Sequence, residues 1–351
     1  MYQDRQFQTH EQARAFYMTV AVTVDMIRNR RRQLGLVDPH ITNKDDATSV
    51  ANIVSTSKRE KGEKSPFVYY KAKGEQNTDT RENKGSLFTK EDFLLVIQTP
   101  AQAMMMADNP RIIFVDATHG LTAYGYQVMS VVVVDRFGNG LVVAFAITSR
   151  ENEETWFLFG KSLRQPSLSC CVEVMMSDDT NSAWNGMTRV WRTLKHKLLC
   201  HWHLKKNVRE RCVGRKAEDS PSVGDSKERK CIKIVPKKTY GMSAWEFFVC
   251  LMIETNETEF RRLLTLFKSN LVQHKQRSLL AYLEKYYFTE ERLKQWTMWY
   301  RQKMYDVEWI ANTNMFVEAW HNVLKTHVLG RKKNVRVDTL IRALLKSENR
   351  Y

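Results

Sequence analysis

Three acidic residues stand in positions where carboxylates do chemistry. Asp116 closes the apolar run 112–115, Asp178 closes the run 172–177, and Glu318 lies in a helix-patterned stretch at 312–325. An acid at the end of a buried strand is exposed at the carboxyl edge of its sheet, where open α/β sheets place their ligands. Three carboxylates converging on a basic chain read as a divalent-metal site that acts on phosphates. Each residue also has a plainer reading. Asp116 could begin the turn before Gly120. Asp178 competes with Asp179, and either could cap a helix starting near Asn181. Glu318 taken alone would be a solvated helix residue.

The composition limits the partner class. Among 351 residues, 55 Lys and Arg face 39 Asp and Glu, giving a net charge of +16 and a pI near 9.5. That is the electrostatic footprint of a polyanion binder, and nucleic acid is the leading partner. The basic residues are spread along the chain and not gathered beside an apolar helix, so an anionic membrane fits poorly. No apolar run approaches the roughly 18 residues of a membrane span, and no signal-peptide core follows Met1. The six cysteines (Cys170, Cys171, Cys200, Cys212, Cys231 and Cys250) show no CxxC spacing, and in a reducing compartment the adjacent Cys170 and Cys171 read as small core residues. An intracellular, nuclear protein is expected, with four arginines at 28–32 as a solvated helix end or an import signal.

Periodicity predicts the elements that must hold the acids. A helix is expected at 11–32 and a polar stretch at 38–64, then a helix at 87–107. Strands follow at 111–115, 127–134 and 140–148, the last two joined by a turn at 137–140. A helix is expected at 151–163, with Glu151, Glu153 and Glu154 in its acidic first turn. A strand at 171–177, a helix at 181–194 and a strand at 198–202 come next. A charged linker at 213–240 leads into helical sequence at 243–302, whose Trp296, Trp299 and Tyr300 read as core aromatics. A last helix begins near Asn312. The order βββαβαβα is that of the ribonuclease H-like fold: a mixed α/β sheet, here interrupted by an all-α insertion. Four segments are expected: an N-terminal region at 1–85, the first part of the core at 86–212, linker and insertion at 213–308, and the final helix with its tail at 309–351.

The segments Phe114-Val115-Asp116-Ala117-Thr118-His119-Gly120, Met176-Ser177-Asp178-Asp179, Cys200-His201-Trp202-His203 and Asn314-Met315-Phe316-Val317-Glu318 together resemble a Mutator-like element (MULE) transposase over roughly 85–330. The resemblance implies cut-and-paste DNA transposition by a DDE nuclease. Asp116, Asp178 and Glu318 would be the catalytic metal ligands. Two Mg²⁺ (or Mn²⁺) ions held by them would stabilise the attacking and leaving oxygens. It also implies a homodimer or higher oligomer, since two DNA ends must be synapsed. The alternative is a transposase-derived DNA-binding or regulatory protein without catalysis. Such transposases usually carry an N-terminal zinc-binding module and often a C-terminal SWIM finger. This chain has no cysteine before Cys170, which fits a fragment, a divergent copy or a host-retained derivative.

The CxxH pair Cys200 and His203 follows the second Asp. Alone it is half a zinc pattern, and no second CxxC or HxxxH pair accompanies it. The expectation is that Cys200 packs and His203 hydrogen-bonds near the acids. Beyond it, Lys205, Lys206, Arg209 and Arg211 are candidate phosphate contacts, as are Arg331, Lys332 and Lys333. Each is equally a solvated charge, and His119 is either a phosphate neighbour or a turn residue.

Overall fold

Runs of Val, Ile, Leu and Met with few interruptions form strands covered on both faces. The computed structural model describes residues 43–75, 88–109, 111–164, 172–212, 233–234, 242–304 and 314–348. In chain order the elements are α1 (Asp46–Lys61), β1 (Phe67–Lys71), β2 (Leu94–Ile97), α2 (Pro100–Asp108), β3 (Ile112–Thr118), β4 (Gln127–Val134) and β5 (Gly140–Thr148). Then come α3 (Glu153–Ser162), β6 (Val174–Ser177), α4 (Ser182–Val190), β7 (His196–Leu199) and α5 (His201–Cys212). After the two-residue strands β8 (Lys233–Ile234) and β9 (Met242–Ser243), the chain is helical: α6 (Ala244–Ile253), α7 (Glu257–Gln273), α8 (Arg277–Tyr286), α9 (Glu290–Trp296), α10 (Met298–Met304), α11 (Met315–Val323), a π-helical turn at Leu324–Val328, and α12 (Val337–Glu348).

Seven strands pair in the order β1-β2-β5-β4-β3-β6-β7. Strands β3, β4 and β5 make the expected antiparallel meander, and β6 and β7 extend it in parallel beside β3. The mixed α/β sheet is therefore the one anticipated, lengthened by a β1–β2 hairpin that pairs antiparallel with β5. Several elements differ from expectation. The hairpin went unread because 67–71 is partly polar and β2 lies inside the stretch expected to be one helix at 87–107. That stretch breaks where Thr99 caps α2 and Pro100 opens it, a position proline favours. Residues 46–61 of the expected polar stretch form α1. Its carboxylate Asp46 is buried and accepts the backbone N–H groups of Val337 and Asp338 at the start of α12. The strand expected at 198–202 instead spans β7, and α5 begins at His201, so Cys200 is the junction between them. The expected helix at 11–32, the arginines at 28–32, Cys170, Cys171 and Cys231 lie outside the described residues.

One face of the sheet packs Ile113, Val115, Met129 and Val131 against Trp156, Phe159 and Met187 of α3 and α4. The other packs Leu95, Phe145 and Ile147 against α1, α11 and α12. Helices α6 to α10 have a core of their own around Phe248, Phe260, Phe267 and Trp296. Trp296 and Trp299 are buried there, and Tyr300 is partly buried against them. The insertion is fastened to the sheet by Arg301, fully buried, which donates to the Leu199 carbonyl at 2.6 Å. His201 meets the Trp296 carbonyl at 2.6 Å on the same seam. No helix among the described residues is long and apolar enough to cross a membrane.

Helices α3 and α4 touch backbone to backbone at Gly186. A Cβ there would lie 2.5 Å from the Glu153 carbonyl oxygen and 2.7 Å from the Phe157 nitrogen. Neither backbone group can turn aside. Gly186→Ala is expected to destabilise the protein by about 1–3 kcal/mol, read as a lowered urea midpoint, whereas Ala at the exposed Asn185 beside it should change little.

Candidate functional site

The parallel pairing of β3 with β6 decides where the first two acids fall. Ile112 faces Val174, Ile113 faces Met175 and Phe114 faces Met176. The same offset carried two residues further, just past the end of β6 at Ser177, matches Asp178 with Asp116 across the sheet edge. Asp116 shares the strand face of Phe114, which packs under α11 through Phe316 at a ring-centroid distance of 5.3 Å. Val317 is buried in the same cluster. The apolar residues flanking Glu318 thus seat α11 on β3, and the helix turns Glu318 toward the sheet edge.

Asn314 fixes the start of that helix. It is fully buried, its amide Nδ2 donates to the Val115 carbonyl at 2.8 Å, and its backbone N–H points at Cys200 Sγ at 3.2 Å. One side chain therefore registers α11 against both β3 and the β7–α5 junction. A turn later, His321 sits between Ser130 Oγ (3.1 Å from Nε2) and Asp116 Oδ2 (3.6 Å from Nδ1).

Two adjoining clefts open here. One, of about 490 Å³, is lined by Asp116, Thr118, His119, Trp202, Glu318, His321 and Lys325; the other, of about 650 Å³, by Asp178, Asp179, Asn207, Lys285 and Arg292. His203 lines both. Asp116 and Glu318 share a cleft, and Asp178 stands in the next one. Asp178 Oδ1 accepts from the backbone N–H and hydroxyl of Thr180 at 3.1 and 2.8 Å. The neighbouring Asp179 is instead engaged by Arg292 and by the Tyr287 hydroxyl at 2.9 Å, both from the insertion. Lys197, which burial pulls down to about 8, donates to Thr180 O and Asn181 Oδ1 and holds this loop from beneath.

A fourth carboxylate was missed. The sequence pattern puts Glu151 in an acidic first turn, but Asn152 is the N-cap of α3, so Glu151 lies before the helix, three residues past the end of β5. Its side chain faces the acids, accepts from Trp156 Nε1 at 3.3 Å and lies 4.0 Å from His119. Burial, then the charges of Asp178 and Asp116, push its carboxyl up to about 7. The signal available in the sequence is an acid shortly after a buried apolar run, close to the feature that marks Asp116 and Asp178; the helical pattern that follows masks it.

The CxxH pair also lies differently from expectation. Cys200 is fully buried, and its thiol points at Glu318 Oε1, 3.6 Å away. His203 does not make the expected hydrogen bond: its Nδ1 is buried without a partner, 3.9 Å from the same Glu318 oxygen. Of the basic candidates, Lys206 is exposed and lies over the ring of Trp202, itself half exposed at the first cleft. Arg209 and Arg211 stack on Trp245 and Tyr282 of the insertion. Lys205 is half-buried beside Trp245, whose Nε1 donates to its carbonyl. Arg331, Lys332 and Lys333 form an exposed turn in which Arg331 has a positive φ of 61°, and none of the three lines either cleft.

The donors gathered around Asp116 are hard oxygens, the set that suits Mg²⁺ or Mn²⁺. A carboxyl pushed up to about 7, by burial first and then by the charges of Asp178 and Asp116, is the kind of perturbed group found at functional sites. In the folded protein Glu151 keeps its proton up to about pH 7, whereas unfolded it would lose it near 4.5. Stability from this group is thus full below 4.5, falls as pH rises between the two values, and is a net cost above 7. Glu151→Gln is expected to stabilise the metal-free protein by about 1–3 kcal/mol at pH 8 and to be neutral near pH 4.5. Urea unfolding in EDTA at both pH values checks this, and equal effects at both would refute the burden placed on Glu151.

The RNase H-like domain model of zinc finger SWIM domain-containing protein 1/3 matches residues 76–185. That span includes Asp116, Glu151 and Asp178 and ends before Cys200 and Glu318. No curated protein matches the chain. The match and the strand order together relate the chain to the RNase H-like superfamily, whose mixed α/β fold it carries with a helical region inserted before the last core helix.

Proposed function

We propose that the chain is a metal-dependent DNA-cleaving and strand-transferring enzyme of the Mutator-like transposase kind. Asp116 and Asp178 would hold the metal from the sheet, with Glu318 supplied by α11. The observation that carries the reading is the delivery of Glu318, from 140 residues further along the chain than Asp178, into the cleft of Asp116. The RNase H-like match and the net charge of +16 support the same class of substrate.

Bound Mg²⁺ would activate the attacking hydroxyl and stabilise the leaving oxygen of a phosphodiester. The residues around it have separable tasks. His321, buried between Ser130 and Asp116, orients the Asp116 carboxylate. Thr180 restrains one oxygen of Asp178. Glu151 stands as a proton-holding neighbour whose charge state follows whatever cation enters. Lys206 and Lys325 flank the first cleft and would meet backbone phosphates. Nuclear residence and a homodimer or higher oligomer belong to the same proposal, because two DNA ends must be held together.

One observation favours a second reading, a DNA-binding or regulatory protein without catalysis: Glu318 Oε1 is turned to Cys200 and His203. The two are separated by incubating the protein with Mg²⁺ or Mn²⁺ and a pool of duplex fragments that includes terminal inverted repeats. Cleavage leaving 3′-hydroxyl ends is expected, reduced at least about 100-fold by Asp116→Asn or Asp178→Asn, as befits loss of transition-state charge stabilisation. Salt-dependent binding in gel shifts should persist in both variants. Binding with no cleavage in either metal would favour the second reading, and cleavage undiminished by Asp116→Asn would remove these acids from the chemistry.

A further inference from the structure

The group formed by Cys200, His203 and Glu318 has a different chemistry from the acids beside it. Their ligand atoms, one thiol sulfur, one imidazole nitrogen and one carboxylate oxygen, all lie within 4.8 Å of one another. We propose that these three residues form a zinc-binding site with three protein ligands and an open fourth position.

The geometry fits before any metal arrives. With Zn–S near 2.3 Å and Zn–N and Zn–O near 2.0 Å, tetrahedral coordination separates sulfur from oxygen by about 3.5 Å and nitrogen from oxygen by about 3.3 Å. The distances here are 3.6 Å from Cys200 Sγ to Glu318 Oε1 and 3.9 Å from His203 Nδ1 to the same oxygen. His203 Nδ1 supplies the independent sign of a missing partner, since it is buried and bonded to nothing. Packing of its ring edge-to-face on Trp202, at 4.8 Å, holds the imidazole in that orientation.

Cys200 immediately precedes α5. Burial pushes its thiol up, and the backbone N–H groups of Trp202, His203 and Asn314, directed at Sγ, act against that burial. Metal binding would displace the thiol proton to solvent and form the S–Zn bond in its place. A thiolate and an imidazole are borderline-soft ligands that select Zn²⁺ over Mg²⁺. Glu318 would give Oε1 to this site and keep its second oxygen for the cleft it shares with Asp116. With three protein ligands the fourth position is left to water or to a ligand entering that cleft, the pattern of reactive and not of purely structural zinc. The inference stands whether or not the chain cleaves DNA.

The test uses the whole chain, stripped with a chelator and titrated with Co²⁺ as a spectroscopic stand-in for Zn²⁺. A sulfur-to-cobalt charge-transfer band saturating at a single equivalent, and abolished by added Zn²⁺, is expected. Cys200→Ser keeps a hydrogen-bond donor toward Glu318 but removes the sulfur, and should abolish the band. His203→Gln should weaken Co²⁺ binding by more than about 100-fold, beyond the loss caused by removing a mere outer-shell partner. If Cys200→Ser fails to fold, the His203→Gln titration carries the decision, with circular dichroism confirming its fold. Asp116→Asn should leave the band intact even where it abolishes DNA cleavage, so failure of the phosphodiester reading and failure of this one are distinguishable. No thiolate band in the wild type, a band surviving Cys200→Ser, or unchanged affinity in His203→Gln overturns the proposal.

Discussion

Like charges held at one sheet edge repel, and the arrangement of this protein is built around that repulsion. Asp116 and Asp178 are forced side by side because β3 and β6 pair in parallel with Phe114 opposite Met176. Glu151 is added from the loop after β5, and burial first, then the charges of Asp178 and Asp116, push its carboxyl up to about 7. Such a cluster persists only where burial of the surrounding strands outweighs its cost. Here the strands are apolar on both faces and lie between α3 and α4 on one side and α1, α11 and α12 on the other. The core therefore holds the acids close together at the sheet edge, where under the proposed function a cation would offset their mutual repulsion.

Position in the third dimension depends on a few polar anchors set into apolar packing. Asn314 ties the start of α11 to β3 through a carbonyl and to the β7–α5 junction through a sulfur. Arg301 and His201 tie the insertion to the same junction. Arg292 and Tyr287 hold Asp179 and so brace the loop that carries Asp178. The insertion is consequently coupled to both metal-ligand candidates on that loop and at Cys200. A displacement of α9 would reach the loop of Asp178 through the Arg292–Asp179 ion pair.

His203 lies where the two clefts meet, and Glu318 faces both a soft donor pair and the cleft of Asp116. In the proposed arrangement this helix glutamate, between a thiol–imidazole pair and an aspartate, would serve two kinds of cation, one through each oxygen, and the CxxH pair would act beyond packing. The basic residues divide in a similar way. Lys206 stands at the cleft, while Arg209 and Arg211 are spent on rings of the insertion, and the 331–333 turn lies away from both clefts.

The strand run and its acids were legible in the sequence because a doubly buried strand writes itself as a continuous apolar run, and an acid ending it is conspicuous; Asp116 and Asp178 were found this way. The β1–β2 hairpin was not legible, since Leu94–Ile97 is as apolar as a helix face and only pairing with β5 makes it a strand. Glu151 was hidden by the helical periodicity that follows it. The partner of Cys200 and His203 could not be read at all: it is Glu318, more than 110 residues away, and the backbone conformation that brings them together is fixed by Asn314 and by burial of Phe316 and Val317. Local periodicity records which face of an element is buried, so the sequence by itself determined strands β3 to β7 and the two acids that close their apolar runs. Which groups meet across elements depends on packing between distant faces, and the tertiary structure alone decided the company of Glu318, Glu151 and the CxxH pair.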